Sequence, residues 1–175
     1  ATLMLATATQ SDLGRAAVVA GAAVRGFALD ASETQRVVDV MAVSFTSSAL
    51  DIEKFQTSMT KVAPIAAAAG ISIEATTAVM GTLTDAGIEA SIAGTSLRNI
   101  FLKMQDSSSD LSKFLGFTVN SSDDLERALL KLNSAGLSNE QIMSLVDLRQ
   151  VAAFNTMVTG SKRIKQLTKD LDEAS

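Results

Sequence analysis

The stretch Val62-Ala63-Pro64-Ile65-Ala66-Ala67-Ala68-Ala69-Gly70-Ile71-Ser72-Ile73-Glu74-Ala75-Thr76 decides how this chain folds. Its alanines favour helix, and Gly70 is the residue type that ends a helix most cheaply, through the left-handed backbone region. Beyond it, Thr76, Val79, Met80 and Leu83 resume a 3.6-residue stripe. One helix stops and another starts within a few residues, so the chain turns back on itself.

The same punctuation recurs in both directions. Stops are expected at Gly26, Gly87, Gly116 and Gly136 as well as Gly70. Starts are marked where a polar cap is followed three residues later by an acid or amide, the pair satisfying orphaned backbone N–H groups. This spacing occurs at Thr9/Asp12, Asp30/Glu33, Ser48/Asp51, Ser121/Asp124 and Ser138/Gln141. Between these signals run apolar stripes of helical period. They comprise Leu13, Ala17, Ala20 and Val24; Val38, Met41, Ala42 and Phe45; Ile52, Phe55, Met59 and Val62; and Leu97, Ile100, Phe101 and Met104. In the second half they comprise Leu125, Ala128, Leu129 and Leu132; Ile142, Leu145 and Val146; and Ile164, Leu167 and Leu171. The expected fold is all-α, an antiparallel multi-helix bundle of about seven to nine short helices.

The polar run Asp106-Ser107-Ser108-Ser109-Asp110 is a breaker, and Gly116-Phe117-Thr118-Val119-Asn120 reads as an extended connector, with a short strand as the alternative. The reading therefore divides the chain into an N-terminal helical subdomain 1–105, a turn region 106–120 and a C-terminal helical subdomain 121–175. Gly21, Gly81 and Gly94 fall inside helical patterns, where each costs about 1 kcal/mol relative to Ala. Close backbone approach at a helix crossing is the expected compensation, with a hinge as the alternative.

Composition narrows the function classes. The chain of 175 residues is 47% hydrophobic and 19% charged, which fits a folded domain, yet only 4% is aromatic and much of the apolar share is Ala. Alanine buries little area, so small-residue helix interfaces and modest stability are expected. The net charge is −4 with both signs mixed along the chain, which gives no basic surface for specific nucleic-acid binding. With no His and no Cys, imidazole and thiolate chemistry are excluded, along with disulfides. Ala1–Gln10 lacks the basic start of a signal peptide and begins abruptly in a helical pattern, so the chain reads as a segment of something longer. The weakly polar stretch Val62–Ile73 is interrupted by Pro64 and Gly70 and falls short of the roughly 20 residues a membrane span needs.

Two catalytic patterns merit a structural check. Ser58-Met59-Thr60-Lys61 has the S-x-x-K spacing that sets an amine beside a serine hydroxyl, but companion S-D-N and K-T-G elements are absent and an exposed helix face is the better reading. Glu74, Asp85 and Glu89 could supply the carboxylate pair of a glycosidase, though each sits where a cap or turn accounts for an acid. Asp51-Ile52-Glu53 and Asp170-Leu171-Asp172-Glu173 lack the ligand spacing of a calcium loop and read as solvated faces. No catalytic residue, cofactor or metal ligand is assigned, and the expectation is a protein that is not an enzyme.

Together with Ala86-Gly87-Ile88-Glu89-Ala90-Ser91-Ile92-Ala93-Gly94-Thr95-Ser96-Leu97-Arg98, the opening stretch resembles the core region of bacteriophage tail tape measure proteins, whose second motif is A-G-I-x-x-S-x-A-G-T-x-L-R. Gly26-Phe27-Ala28-Leu29-Asp30-Ala31 also fits, and Ala152–Leu171 is similar to the helical pair that closes the region, so the likeness runs from about Thr9 to the end. The segment after Lys103 is shorter than in many members, and Val43–Ser48 follows the pattern loosely. The resemblance marks Pro64, Gly70, Glu74, Gly87, Gly94, Leu97 and Arg98 as signature positions, all within subdomain 1–105. It implies a structural protein of the tail lumen, made in the bacterial cytoplasm, that sets tail length during assembly and leaves ahead of the DNA. The implied partners are other tape measure chains, the tail tube protein, tail assembly chaperones and tail tip or baseplate proteins, with host membrane contact after ejection as a further option. An unrelated helical protein–protein interaction module is the competing class.

Overall fold

The computed structural model describes Thr7 and residues 13–175. Ten α-helices and two 3₁₀ turns account for the regular structure of these residues, and none of them is in a strand. The first half holds α1 (Leu13–Gly26), a 3₁₀ turn (Ala31–Glu33), α2 (Thr34–Ser47), α3 (Ile52–Ala68), α4 (Ile73–Asp85) and α5 (Ala90–Gln105). The second half holds α6 (Asp110–Leu115), α7 (Ser122–Ala135), α8 (Asn139–Leu145), a 3₁₀ turn (Leu148–Gln150), α9 (Val151–Thr159) and α10 (Ser161–Ala174). Nine of the ten helices have seven residues or more, as the stripes predict, and the six-residue α6 is the short helix expected between the polar breaker and Gly116.

Helix α4 occupies the centre. Every residue from Ile73 to Thr84 is buried, with α2, α3, α5, α9 and α10 packed around it. A helix enclosed on all sides cannot expose polar groups, and three of its four threonine hydroxyls turn to their own backbone, while Thr77 Oγ1 has no partner among the described residues. Thr76 donates to the Ser72 carbonyl at 2.8 Å, Thr82 to Ala78 at 2.9 Å and Thr84 to Met80 at 3.0 Å. Helix α10 lies antiparallel along it. Arg163 reaches Asp85 at 3.4 Å, Leu167 packs beside Gly81, and Asp172 faces the field of Glu74. Residues of the 121–175 segment thus belong to the same continuous apolar cluster as those of 1–105.

The helix starts follow the sequence with one relocation. Ser121 accepts from Asp124 N at 3.1 Å, and Ser138 forms a full reciprocal capping box with Gln141. Asp30 caps the first 3₁₀ turn through Ser32 N, while Glu33 turns to Arg36 instead of reaching back. Ser48 does not open a helix. Asp51 caps α3 through Lys54 N at 2.8 Å, and Ser48 donates to the Ser44 carbonyl at the end of α2. The Thr9/Asp12 pair lies outside the described residues.

Gly70, Gly87, Gly116 and Gly136 all take positive φ, as stops should. Gly26 does not. A Cβ there would sit 3.0 Å from the Ala63 Cβ, so this glycine serves a contact between α1 and α3. The left-handed step falls on Ala28, with φ of 53°. The α1 stripe is also corrected, because Leu13 and Ala17 are exposed and the buried face is Ala16, Val19, Ala20, Ala23 and Val24. Ala stripes leave the phase open, since Ala suits either face of a helix.

Residues 116–120 form the expected connector. Val119 N donates to the Met104 carbonyl at 2.9 Å, tying the connector to the end of α5. The polar run before it ends α5 by satisfying its last carbonyls: Ser109 and Ser112 hydroxyls both donate to Lys103 O, at 2.5 and 3.0 Å. Farther on, the Arg127 guanidinium lies 3.9 Å over the Phe117 ring.

Leu167 is fully buried where α10 meets α4. Replacing it with Ala should cost about 2–5 kcal/mol. Because both segments share one core, thermal melting followed by circular dichroism should remain a single transition in wild type and L167A alike. Two resolved transitions would show 1–105 and 121–175 unfolding separately.

Candidate functional site

The signature positions gather where α3, α4 and α5 meet. Alternating caps and glycines build this region from local chemistry. Ser72 caps α4 by accepting from Ala75 N at 3.1 Å, and Glu89 caps α5 by accepting from Ser91 N and Ile92 N at 2.9 and 3.1 Å. Gly70 permits the turn into α4 with φ of 65°, and it has a second reason to lack a side chain. A Cβ would come within 2.5 Å of the Asn120 carbonyl oxygen. Gly87, with φ of 82°, makes the α4–α5 turn in open space.

The α3–α5 crossing is the tightest of these contacts. A Cβ on Gly94 would stand 2.9 Å from both the Cα and the carbonyl oxygen of Ser58, so the two backbones touch there. One turn on, the Lys61 ammonium donates to the Ser91 hydroxyl at 2.5 Å, the Ser91 carbonyl at 3.3 Å and the Thr95 hydroxyl at 3.1 Å. Ser91 and Thr95 are one turn apart on α5, and their oxygens form the seat for this cation. Leu97 points into the core and is fully buried. Pro64 and Arg98 are exposed, and both line a shallow surface groove with Lys61 and Thr95.

This geometry removes the S-x-x-K reading. Ser58 is buried and its hydroxyl donates to the Lys54 carbonyl at 2.8 Å, while Lys61 is committed to α5. Amine and hydroxyl are each engaged elsewhere. The three carboxylates likewise have separate tasks. Glu89 is the α5 cap, and Asp85 accepts from Ala49 N at 2.6 Å while also meeting Arg163, which in turn donates to the Ser47 carbonyl.

Glu74 is 1% exposed and receives two bonds from Arg36, Nε to Oε1 at 2.6 Å and Nη2 to Oε2 at 2.9 Å. The third bond of Arg36 goes to Glu33 at 2.5 Å, which places the guanidinium between two carboxylates and raises its pKa. A buried carboxylate held by a forked guanidinium is a packing device that ties the start of α2 to the start of α4. Nothing in the sequence identified Arg36 as the partner, because a separation of 38 positions carries no local pattern.

Of the interior glycines, Gly81 and Gly94 meet the expectation of close approach and Gly21 does not. Gly81 lies 3.1 Å, by its absent Cβ, from both Leu167 and Ser48. Gly21 would meet only the flexible end of Arg25.

A family model described as phage-related minor tail protein matches residues 1–122. The chain belongs to this family of phage tail proteins. Among curated relatives, the tape measure protein of Pneumococcus phage Dp-1 is 34% identical over 96 residues, which is 55% of this chain and 8% of that protein. The probable tape measure protein of Escherichia phage P2 is 32% identical over 104 residues, covering 59% of this chain and 13% of the relative. The tape measure resemblance of the two central motifs is therefore upheld, and the matched span is a small fraction of each relative's length. No solved structure matches. The family match ends at residue 122, so the likeness read for Ala152–Leu171 lies beyond it, although that segment does form a helical pair, α9 and α10.

The glycine contacts predict opposite signs for one chemical change. G21A adds helix propensity where only the flexible end of Arg25 is met and should stabilise this tail protein by about 0.5–1 kcal/mol. G94A drives a methyl into the Ser58 backbone and should cost about 1–3 kcal/mol. Denaturant melts of the two variants check both.

Asp172 yields a pH test. Burial is the main cause that raises its pKa and the Glu74 charge adds to it, while Arg36 opposes them. Its position in the last turn of α10, at the negative end of the helix dipole, acts in the same direction. A folded pKa above the unfolded value means that ionisation costs stability at neutral pH, and the cost vanishes as pH falls through the folded pKa towards 3.8. D172N should therefore melt above wild type at pH 7, with the difference closing as the buffer is acidified.

Proposed function

We propose that this chain is a folded, non-enzymatic domain of a tape measure protein, whose parent takes part in tail-length determination and genome ejection. Its own task in this reading is docking at one end of the tail, not measuring. The observation that carries it is the enclosure of α4 by five other helices, α2, α3, α5, α9 and α10. A ruler gains length as an uninterrupted helix, about 1.5 Å per residue, which would give roughly 260 Å for a chain of this size. The folded form has a radius of gyration on the order of 16 Å.

In this reading the domain sits at the end of the tail tube lumen in the virion. Its partners are other tape measure chains, the tail tube protein, the tail assembly chaperones and the tail tip or baseplate. The groove of Lys61, Pro64, Thr95 and Arg98 is the face best suited to an acidic partner surface, since it carries two cations and no carboxylate.

The alanine content of the core supports a second reading, in which the domain is held extended during assembly and folds once released. Twelve of the buried core residues are Ala, among them Ala63, Ala66, Ala69 and Ala93 where α3 and α5 pack. Small interfaces are cheap to open. Insertion into a host membrane gains no comparable support, because no helix among the described residues is long and apolar enough to cross one.

An in-frame deletion of residues 1–175 from the parent protein separates the readings, with tail length measured by electron microscopy. Docking predicts tails of unchanged length that lose infectivity, or no tails at all. Shortening by about 1.5 Å per deleted residue would show the segment extended in the virion and acting as ruler.

A further inference from the structure

A groove of about 640 Å³ lies between α5 and the second 3₁₀ turn. On α5 its wall is Ile92, Thr95, Ser96 and Asn99, the i, i+3, i+4 and i+7 positions of one helix face. Opposite stand Asp147, Leu148, Arg149 and Gln150. Lys103 is seven residues beyond Ser96 on the same stripe of α5, and its ion pair with Asp147 at 3.7 Å brings the turn against that edge of the helix. Ser96 and Gln150, 4% and 6% exposed, form the floor where the two elements meet.

Two observations mark the groove as a binding site. The first is unmet hydrogen bonding at its floor and wall. Gln150 Oε1 accepts from Asp147 N at 3.2 Å, which leaves the Gln150 Nε2 without a partner among the described residues. The Ser96 hydroxyl and the Asn99 carboxamide have none among them either. The unpartnered side-chain atoms that are sealed from solvent belong to Thr77 and Ser161, so those of Ser96 and Gln150 are reached from the groove they line. Groups buried this deeply have given up most of their water without gaining a bond, and an occupant of the groove supplies one. The second observation is the apolar rim. Ile92 is 56% exposed and Leu148 76%, the most exposed large hydrophobic side chain among the described residues. Covering them favours a complex.

We propose that this groove binds an extended peptide segment of a partner protein, uncharged and carrying an aliphatic side chain. A peptide group is what the unmet groups match. The Asn99 carboxamide offers an acceptor and donors side by side and pairs with one peptide group through both, while the Ser96 hydroxyl and Gln150 Nε2 donate to carbonyls. Ser96 and Asn99, at i and i+3, have Cβ atoms about 5–6 Å apart, near the roughly 6.6 Å between peptide groups on one side of an extended chain. From Ile92 to Asn99 is about 10 Å by helix rise, the reach of about three extended residues. The lining holds one carboxylate, Asp147, and one guanidinium, Arg149, so its formal charge is zero and a neutral ligand fits it. Thr95 separates this groove from that of Lys61 and Arg98, and the inference does not rest on docking at a tail end.

Titration of the ¹⁵N-labelled 175-residue chain with acetyl-Ala-Leu-Ala-amide, followed by NMR, tests it. The expected result is saturable one-to-one shifts of the Asn99 and Gln150 side-chain amides and of the Leu148 backbone amide. N99A and L148S should each weaken binding at least 10-fold and S96A several-fold, while L130S on α7 leaves it unchanged. Leu148 is too exposed for its replacement to disturb the core, and melting curves confirm that each variant is folded. Acetyl-Ala-Glu-Ala-amide and N-acetylglucosamine should bind at least 10-fold more weakly than the leucine peptide. No saturable shift with the leucine peptide overturns the proposal. So does tighter binding of the acidic peptide, which would make Arg149 the anchor of an anion site, or of the sugar, which would make the groove a carbohydrate site. Binding indifferent to both N99A and L148S overturns it as well.

Discussion

Everything in this molecule is arranged around the complete burial of α4. A helix enclosed on every side has to meet its polar groups without water, because an unpaired buried group costs more than a hydrogen bond returns, and only the Thr77 hydroxyl is left unmet among its described side chains. Thr76, Thr82 and Thr84 meet theirs by bonding back to their own helix. Glu74 cannot, and the cost of its burial is offset by the forked contact with Arg36. That one ion pair links the first residues of α2 and α4 and sets how α2 lies on the central helix. Around it, α10 closes the remaining side with Ile164, Leu167 and Leu171, the residues of its single apolar stripe.

The second constraint is closeness. With so few aromatic side chains, the core gains little from large buried surfaces and relies on backbones brought into contact. Gly94 against Ser58 and Gly81 against Leu167 and Ser48 are the clearest examples. Where the backbones touch, Lys61 adds a polar clamp across the crossing. The signature of the second motif thus has a local physical account. Gly94 gives the approach, Ser91 and Thr95 seat the lysine, and Leu97 fills the core. Arg98 and Pro64 remain on the outside.

In this region the groups that could have suggested chemistry are engaged in holding the fold together. The hydroxyl of Ser58 and the carboxylates of Glu74, Asp85 and Glu89 each have a structural assignment. A phage tail protein with such a domain carries a compact element within a family whose curated relatives, many times longer, include tape measure proteins. The contrast between compactness and length makes docking the more economical reading than measuring.

Local chemistry made much of this legible. Caps at Ser121 and Ser138, stops at Gly70, Gly87, Gly116 and Gly136, and the stripes from Ile52 onward are all short-range features, and they act in the structure as their residue types dictate. The failures are equally instructive. In α1 the stripe was misphased because alanine is indifferent to burial, and Gly26 serves a helix contact while Gly21 serves none, because only the neighbouring helix decides whether a glycine is needed. Ser48 and Asp51 both have capping chemistry, and only the path of the chain into α3 selects Asp51.

What the sequence determined by itself is the all-helical class, the turns, most of the buried faces and the family, since these rest on contacts within a turn or two or on a long motif. The tertiary structure alone decided that Glu74 pairs with Arg36, that Lys61 clamps α5, and that α10 shares the core of the first half. Each of these joins residues 30 or more positions apart in sequence, and the free energy of such a contact depends on burial and geometry that exist only once the helices have packed.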